Sequence, residues 1–256
     1  MLTSQRKKHL LDLLALDGRI VAKTLSEQLG LSEDTIRRDL RELAKEGLLQ
    51  RVHGGALPAS PAMAVFAERE NISADAKSAI GRTAAGLVQP GQVVFVDGGT
   101  TAVQLVRHLP ADLRATVVTH SPSIAVELLN HPHIEVIMIG GRLFKHSIVA
   151  LGAAAIEAIG RIRADLYFMG VCSLHPEAGI GTGDFEESCV KRALCDAAAE
   201  TIVLASPEKL DTASPFQIVP LSRISRIVVD STVPEHLIAP YSALGISISL
   251  AFETHK

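Results

Sequence analysis

The stretch from Ser32 to Ala56, SEDTIRRDLRELAKEGLLQRVHGGA, decides how this chain is read. It opens on a serine, which caps a helix by accepting from a free backbone N–H. Glu33 and Asp34 follow, where the positive end of the helix dipole favours acidic side chains. At about 100° per residue, Ile36, Leu40 and Leu43 fall on one stripe. Asp34, Arg38, Arg41 and Lys45 fall nearly opposite, with Arg37 on the flank. Gly47 ends the helix because glycine takes the left-handed conformation cheaply. A scaffold can bury the apolar face of such a helix and offer the cationic face to an anionic groove.

Working outward, Ala22 to Leu29 reads as a shorter helix anchored by Leu25 and Leu29. Gly30-Leu31 make a tight turn, and Ser4 to Leu16 supplies a supporting helix through Leu10, Leu13 and Leu14. Downstream, Leu48 to Val52 followed by His53-Gly54-Gly55 suits a β-wing. Helix, glycine turn and capped second helix form the helix-turn-helix pattern, whose second helix enters the major groove. A solvated amphipathic helix would explain the charge stripe alone. The order of cap, turn, cationic face and wing within one small domain favours nucleic-acid binding. The candidate contacts to double-stranded DNA are Ser32, Thr35, Arg37, Arg38, Arg41 and Lys45 on the helix, with Arg51, His53 and Gly54 in the wing.

The chain of 256 residues is long enough for two domains, and 47% hydrophobic residues support real cores. Only 4% are aromatic and none is Trp, which suggests aliphatic α/β packing. The net charge of −3 does not by itself suggest a nucleic-acid partner. Residues 1–60 hold 10 Lys and Arg against 8 Asp and Glu, while the remainder holds 15 against 20. Binding must therefore rest on a few placed cations, whose phosphate contacts give affinity and whose base-edge contacts give sequence choice. No apolar run approaches the ~20 residues needed to span a bilayer, and no secretory leader is evident. The expectation is a cytoplasmic chain without a membrane partner. Cys172, Cys189 and Cys195 lack metal-type spacing, and His120, His131, His133 and His146 are scattered. Neither a metal nor a cofactor is expected.

The expected organisation is a winged helix-turn-helix over residues 1–57, a linker over 58–74, and an α/β domain over 75–256. The linker carries two prolines and no clean period, and Phe66 and Arg69 are candidates to dock it. A helix from Asp75 to Leu87 would follow, with Lys77 in its first turn. Val93–Val96, Ala115–Thr119 and Ile134–Ile139 are short apolar runs. The first two lead through polar loops into helical stretches, Ala102–Leu109 and Ile124–Leu129, and the third leads into Gly140-Gly141-Arg142. Leu166–Met169, Thr201–Ala205 and Arg226–Val229 extend the series. This grammar means a parallel sheet with right-handed crossovers. Ligands sit beyond the carboxyl ends of such strands. Asp97-Gly98-Gly99-Thr100-Thr101 lies at one of those ends, where backbone N–H groups and threonine hydroxyls suit an anion. A tight strand-to-helix turn would also explain the loop. No GxxxxGK[ST] or GxGxxG is present.

Thr35-Ile36-Arg37-Arg38-Asp39-Leu40, with Gly47, Arg51 and His53-Gly54-Gly55-Ala56, resembles the signature of the DeoR family of bacterial transcription regulators. The resemblance covers most of the chain. Asp97, Gly99, Thr100 and Thr101 match the family's aspartate–glycine–threonine–threonine loop. Gly140-Gly141 matches its double glycine. Asp165 with Phe168 and Gly170, Gly181 with Thr182, Glu187 with Lys191, and Lys209 match later motifs. Membership implies a sensor domain similar in fold to ribose-5-phosphate isomerase and the coenzyme A transferases. It also implies a homo-oligomeric repressor of carbohydrate metabolism, released by a phosphorylated sugar or related metabolite.

By their chemistry Gly99, Thr100 and Thr101 would hold phosphate, with Lys77 and Arg142 as cations, and Gly98 and Lys209 join the candidate effector-binding residues. Asp97, Asp165 and Glu187 would accept from sugar hydroxyls, and His120, Ser121, Gly141 and Lys191 would complete the site. Glu187 and Lys191 share a helix face, which a surface ion pair would also explain. Two departures fall at the site. Thr119-His120-Ser121 carries an imidazole where the family has an asparagine, which would make recognition pH-sensitive. Ala205-Ser206-Pro207-Glu208-Lys209 lacks the usual aspartate and gains a proline. The competing readings are a sugar-phosphate isomerase or transferase, with Glu187 as base and Lys191 as electrophile, and a DNA binder with a degenerate pocket.

Overall fold

The computed structural model describes residues 2–253. Its first module runs α1 (Thr3–Asp17), β1 (Ile20–Val21), α2 (Ala22–Leu29), α3 (Glu33–Lys45), β2 (Leu49–Val52) and β3 (Gly55–Pro58). The Ser32 hydroxyl accepts from the Thr35 N–H at 3.2 Å, as a cap should. The Leu48 N–H closes the other end of α3 onto the Leu43 carbonyl at 3.1 Å, across Gly47. The apolar stripe of Ile36, Leu40 and Leu43 packs on Leu10, Leu14, Leu25 and Leu49 as one core. The wing strands β2 and β3 are joined at His53-Gly54, where Gly54 has φ of 80°. β1 pairs with β3 on its other edge.

One polar contact inside this core escapes the amphipathic count. Asp39 is 1% exposed and takes a two-pronged hydrogen bond from the Arg6 guanidinium of α1. It pins α1 to α3, so the cationic helix is held by charge as well as by leucines.

The linker is docked rather than loose. A 3-10 turn at Pro61–Met63 leads to α4 (Phe66–Glu70). The Ser60 hydroxyl donates to the Cys172 carbonyl, and the Ala213 N–H donates to the Pro58 carbonyl at 3.1 Å. α5 (Ala74–Ala85), β4 (Val93–Val96), α6 (Thr100–Arg107), β5 (Ala115–Thr119), α7 (Pro122–Glu127) and β6 (Ile134–Met138) follow. A hairpin of β7 (Arg142–Phe144) and β8 (Val149–Leu151) precedes α8 (Ala153–Ile159) and β9 (Ala164–Gly170). Then come β10 (Ser173–His175), β11 (Gly179–Thr182), α9 (Phe185–Asp196), β12 (Ala198–Ala205), β13 (Phe216–Gln217), β14 (Arg226–Asp230), α10 (Glu235–Ala243) and β15 (Ser247–Ala251).

Seven strands form one parallel sheet in the order β15-β14-β12-β9-β4-β5-β6. Alternate residues feed two cores. Val94, Val96, Phe168 and Leu204 pack with α5 and α6, and Phe95, Tyr167, Met169 and Val203 pack with α8 and α9. α5 approaches α6 so closely that a Cβ on Gly81 would lie 2.6 Å from the Gln104 backbone. Strand order runs outward from β4 in one direction and from β9 in the other. The sheet's switch point therefore lies between β4 and β9, and its carboxyl-end crevice falls at Asp97 and Gly170. The short hairpins and β15 escaped the sequence reading, because three-residue and edge strands carry too little periodicity.

Asp39→Ala would leave the Arg6 guanidinium buried without its carboxylate. The expected loss is about 2–3 kcal/mol in the N-terminal module, with Asp39→Asn intermediate. Urea unfolding followed by circular dichroism of the full chain measures this, and an unchanged first transition would contradict it.

Candidate functional site

The exposed face of α3 presents Arg37, Arg38, Arg41 and Lys45 together. Arg37 is tied to Glu33 at 2.7 Å, whereas no ion pair engages Arg38, Arg41 or Lys45 among the described residues. Ser32 is committed locally, since its hydroxyl caps the helix and lies 2.9 Å from that of Thr35. Arg51, His53 and Gly54 are exposed in the wing. Helix and wing thus offer cations on one module, with Asp39 turned inward.

The second site is built under the switch point. The Asp97 carboxylate, wholly buried at the end of β4, accepts from Lys191 Nζ at 2.5 Å, the Tyr167 hydroxyl at 3.0 Å, and the N–H groups of Gly98 at 2.8 Å and Gly170 at 2.9 Å. Lys191 also donates to the Gly170 carbonyl at 2.9 Å and lies 3.5 Å from Glu187. Thr182 donates to the other Glu187 oxygen at 2.9 Å. Burial pushes Asp97 up most strongly, but Lys191 and the other groups around it, the Gly98 N–H among them, together hold the carboxyl below its ordinary range. Burial likewise opposes the Lys191 charge, and Asp97 and Glu187 reverse that, leaving the ammonium raised. His120 lies wholly buried, its Nε2 3.5 Å from Asp97, with both ring nitrogens lacking a hydrogen-bond partner. Burial lowers its pKa and keeps the ring neutral.

Above this floor lies a cavity of about 20 Å3, walled by the Gly98–Thr101 loop, Lys77, Lys209 and Arg69 among others. Gly99 has φ of 119°, a conformation other residues rarely adopt, and it caps α6 so that Thr100 and Thr101 enter the helix at the cavity. The Thr101 hydroxyl and Arg69 Nε and Nη2 are buried and have no partner. Burial lowers Lys77, with Glu208 opposing, and it lowers Lys209 to about 8, again against Glu208. Orphaned donors and desolvated ammonium groups around a helix N-terminus are the chemistry of a site that takes an anion.

The geometry corrects several sequence expectations. Asp165 accepts from the Val93 N–H at 2.8 Å, at the amino end of β9 and hence at the opposite edge of the sheet from the crevice. Gly141 and Arg142 are exposed on the hairpin, and Arg142 pairs with Glu186 instead of entering the cavity. Ser121 is buried with its hydroxyl on the Ile148 carbonyl at 3.0 Å. Asp97 is saturated by internal donors, so it supports the floor instead of offering a free acceptor. Glu187 and Lys191 are 6% and 3% exposed, which overturns the surface-pair reading. Lys77, Gly98, Gly99, Thr100, Thr101, Glu187, Lys191 and Lys209 do converge at the cavity. Sequence reasoning missed Tyr167, Ser147 and Cys172 here, named Thr182 and Glu208 only as parts of motifs without a role, and read Arg69 only as a docking residue. Arg69's position shortly before Lys77 was the available signal. Among the described residues no cluster of His, Cys, Asp and Glu is placed to hold a metal, and no helix is long and apolar enough to cross a membrane.

Comparison with known proteins bears on both sites. Residues 6–61 match a model described as the DeoR-like helix-turn-helix domain, and residues 72–231 match the DeoR C terminal sensor domain. The chain is similar to the HTH-type transcriptional regulator GlpR of Haloferax volcanii, at 34% identity over 97% of this chain and 98% of that protein. It is 29% identical to a putative aga operon transcriptional repressor of Escherichia coli O157:H7, over 98% of this chain and 95% of the relative. It is 31% identical to the HTH-type transcriptional repressor GlcR of Bacillus subtilis, over 90% and 89%. Ribose 5-phosphate isomerase A of Methanocaldococcus jannaschii aligns with 54% of each chain at 17% identity and a TM-score of 0.40.

His120 has a pH consequence. Its folded pKa is depressed, so below about 6.5 the unfolded chain takes up a proton that the folded chain does not. Stability must fall as pH drops through that range. His120→Asn should flatten the slope of the urea midpoint between pH 7.5 and 5, leaving the share due to His175, which burial also depresses. Equal slopes for the two proteins would refute the assignment.

Proposed function

The chain belongs to the DeoR family of transcriptional regulators, and on that premise we propose that it represses a carbohydrate-metabolism operon until a phosphorylated metabolite fills the cavity at Thr100–Thr101. It is a DNA-binding regulator, not an enzyme, and the relatives named for their regulatory roles carry that statement. The isomerase or transferase reading is not favoured. The observation that supports the sensing half is the convergence of Lys77, Lys209, the orphaned Thr101 hydroxyl and the orphaned Arg69 nitrogens on one helix N-terminus.

In this reading Arg38, Arg41 and Lys45 face the operator from the major groove, and Arg51, His53 and Gly54 bring the wing to the backbone. Arg37, Ser32 and Thr35 set the helix end that approaches the bases. The proposed modules are residues 1–57, 58–74 and 75–256, acting as a cytoplasmic homo-oligomer on repeated half-sites.

The coupling is physical. A cavity of about 20 Å3 holds no more than about a water. A metabolite must open it, and it shifts the regulator only through unequal affinity for two states. The linker residues Ala62 and Arg69 line the cavity, and Ser60 is bonded to Cys172 beside it. Opening the cavity therefore strains the linker, which continues directly into wing strand β3.

Two measurements test this. Arg38→Ala should weaken operator binding about ten- to a hundredfold in a gel-shift titration and leave stabilisation by sugar phosphates intact. Loss of both would refute separate modules. Lys209 is charged below about pH 8 and neutral above it, so affinity for a phosphorylated ligand should drop as pH rises from 7 to 9.5. Calorimetric titration across that range checks the slope, which Lys209→Gln should flatten.

A further inference from the structure

The parallel sheet ends in an open edge at β6. The strand pairs with β5 along its whole length, Ile134 to Met138, and among the described residues no strand pairs with its other side. Backbone N–H and C=O groups on that side need a partner or water, so a free edge is a template for another strand. Chains commonly blunt such edges with lysine or proline. β6 reads Ile-Glu-Val-Ile-Met and has neither. Its one charge, Glu135, is engaged from β5, accepting from the Thr116 hydroxyl at 3.2 Å.

Apolar side chains gather along this edge. Val126 of α7 and Leu129 just after it are 64% and 81% exposed, Ile137 and Met138 on the strand 39% and 49%, and Leu143 of β7 48%. Ile137 and Met138 are neighbours, so they leave opposite faces of the strand, and α7 packs beside β6. The five side chains expose on the order of 500 Å2 per copy, near the top of what a typical monomer shows as one patch. Two copies would cover about 1,000 Å2, the size at which specific interfaces begin. Between Val126 and Leu143 the acidic and basic residues are Glu127, Glu135 and Arg142. Glu127 is paired with Arg107 at 2.5 Å, and Arg142 with Glu186. The edge therefore offers no free charge to an oppositely charged partner and none to repel a second copy of itself.

We propose that β6 pairs antiparallel with β6 of a second copy about a two-fold axis, carrying the sheet from one copy into the next and covering Val126, Leu129, Ile137, Met138 and Leu143. An isologous contact of this kind closes at two copies. The opposite edge, β15, interposes Ser247 and Ser249 between its apolar residues. Pairing β6 with β15 would be head to tail and would not close. The inference rests on the homo-oligomer reading above and names its interface. The sensor domain then fixes the number of DNA-binding modules, since two joined copies present the two helices that repeated half-sites need.

Sedimentation equilibrium of the full chain tests this. Wild type should be a dimer, or an even-numbered assembly of dimers, at micromolar concentration. Ile137→Lys sets like charges across the two-fold and should weaken dimerisation roughly a hundredfold, as should Ile137→Glu. An equal mixture of those two variants should recover the dimer, because the charges then oppose each other. Leu129→Ser alters a side chain that is 81% exposed and should weaken dimerisation several-fold. It keeps the test decisive if circular dichroism shows that a charge on the strand unfolds it. Association that none of the variants weakens overturns the β6 interface and spares the homo-oligomer reading. Charged variants that dissociate and do not recover on mixing overturn the two-fold pairing. So does growth of the wild type into ever longer species with concentration. A monomeric wild type sinks the homo-oligomer reading and the interface with it.

Discussion

A buried ion pair organises the second module. Asp97 and Lys191 meet where water is excluded, and each alone would be unstable as a charge. Tyr167, Gly98 and Gly170 surround the carboxylate with donors, so the pair is fully bonded instead of merely close. The contact fastens the end of β4 to β9 and α9. The loop at Gly99 therefore leaves β4 in one direction only, and the N–H groups of α6 are aimed at a fixed point. An anion site needs that preorganisation, because donors that had to be gathered would lose their advantage to solvent.

The two modules meet through residues that belong to neither core. Ser60, Ala62, Met63 and Arg69 all touch the sensor side, and the linker runs without a break from wing strand β3 into α4. A chain fastened at both ends transmits displacement. The desolvated cations at Lys77 and Lys209 raise the energy of the closed cavity, and in the proposed reading a dianion relieves that cost only in a conformation with room for it. The proposed response thus follows from differential binding and requires no separate signal.

Much of the first module was legible residue by residue. Ser32 as cap, Ile36-Leu40-Leu43 as buried stripe and the His53-Gly54 turn follow from local rules that hold whatever surrounds them. Asp39 did not, because its partner Arg6 lies on another helix. In the second module the parallel strands and the loop after β4 were legible from alternating apolar runs and glycine punctuation. Asp165 was misread, since a motif names residues without saying which end of a strand they occupy.

Local composition and period, acting over at most a dozen residues, determined the helices of the first module, six of the seven parallel strands and the identity of the cationic face. Tertiary structure alone decided which charges are buried and what they do. It turned Glu187 and Lys191 from a surface pair into the floor of a pocket, withdrew Asp97 from ligand contact, sent Arg142 outside and brought Arg69 in. The reason is distance along the chain. Asp97 and Lys191 are 94 residues apart, and only closure of the sheet places them within hydrogen-bond reach and removes the water that would otherwise screen them.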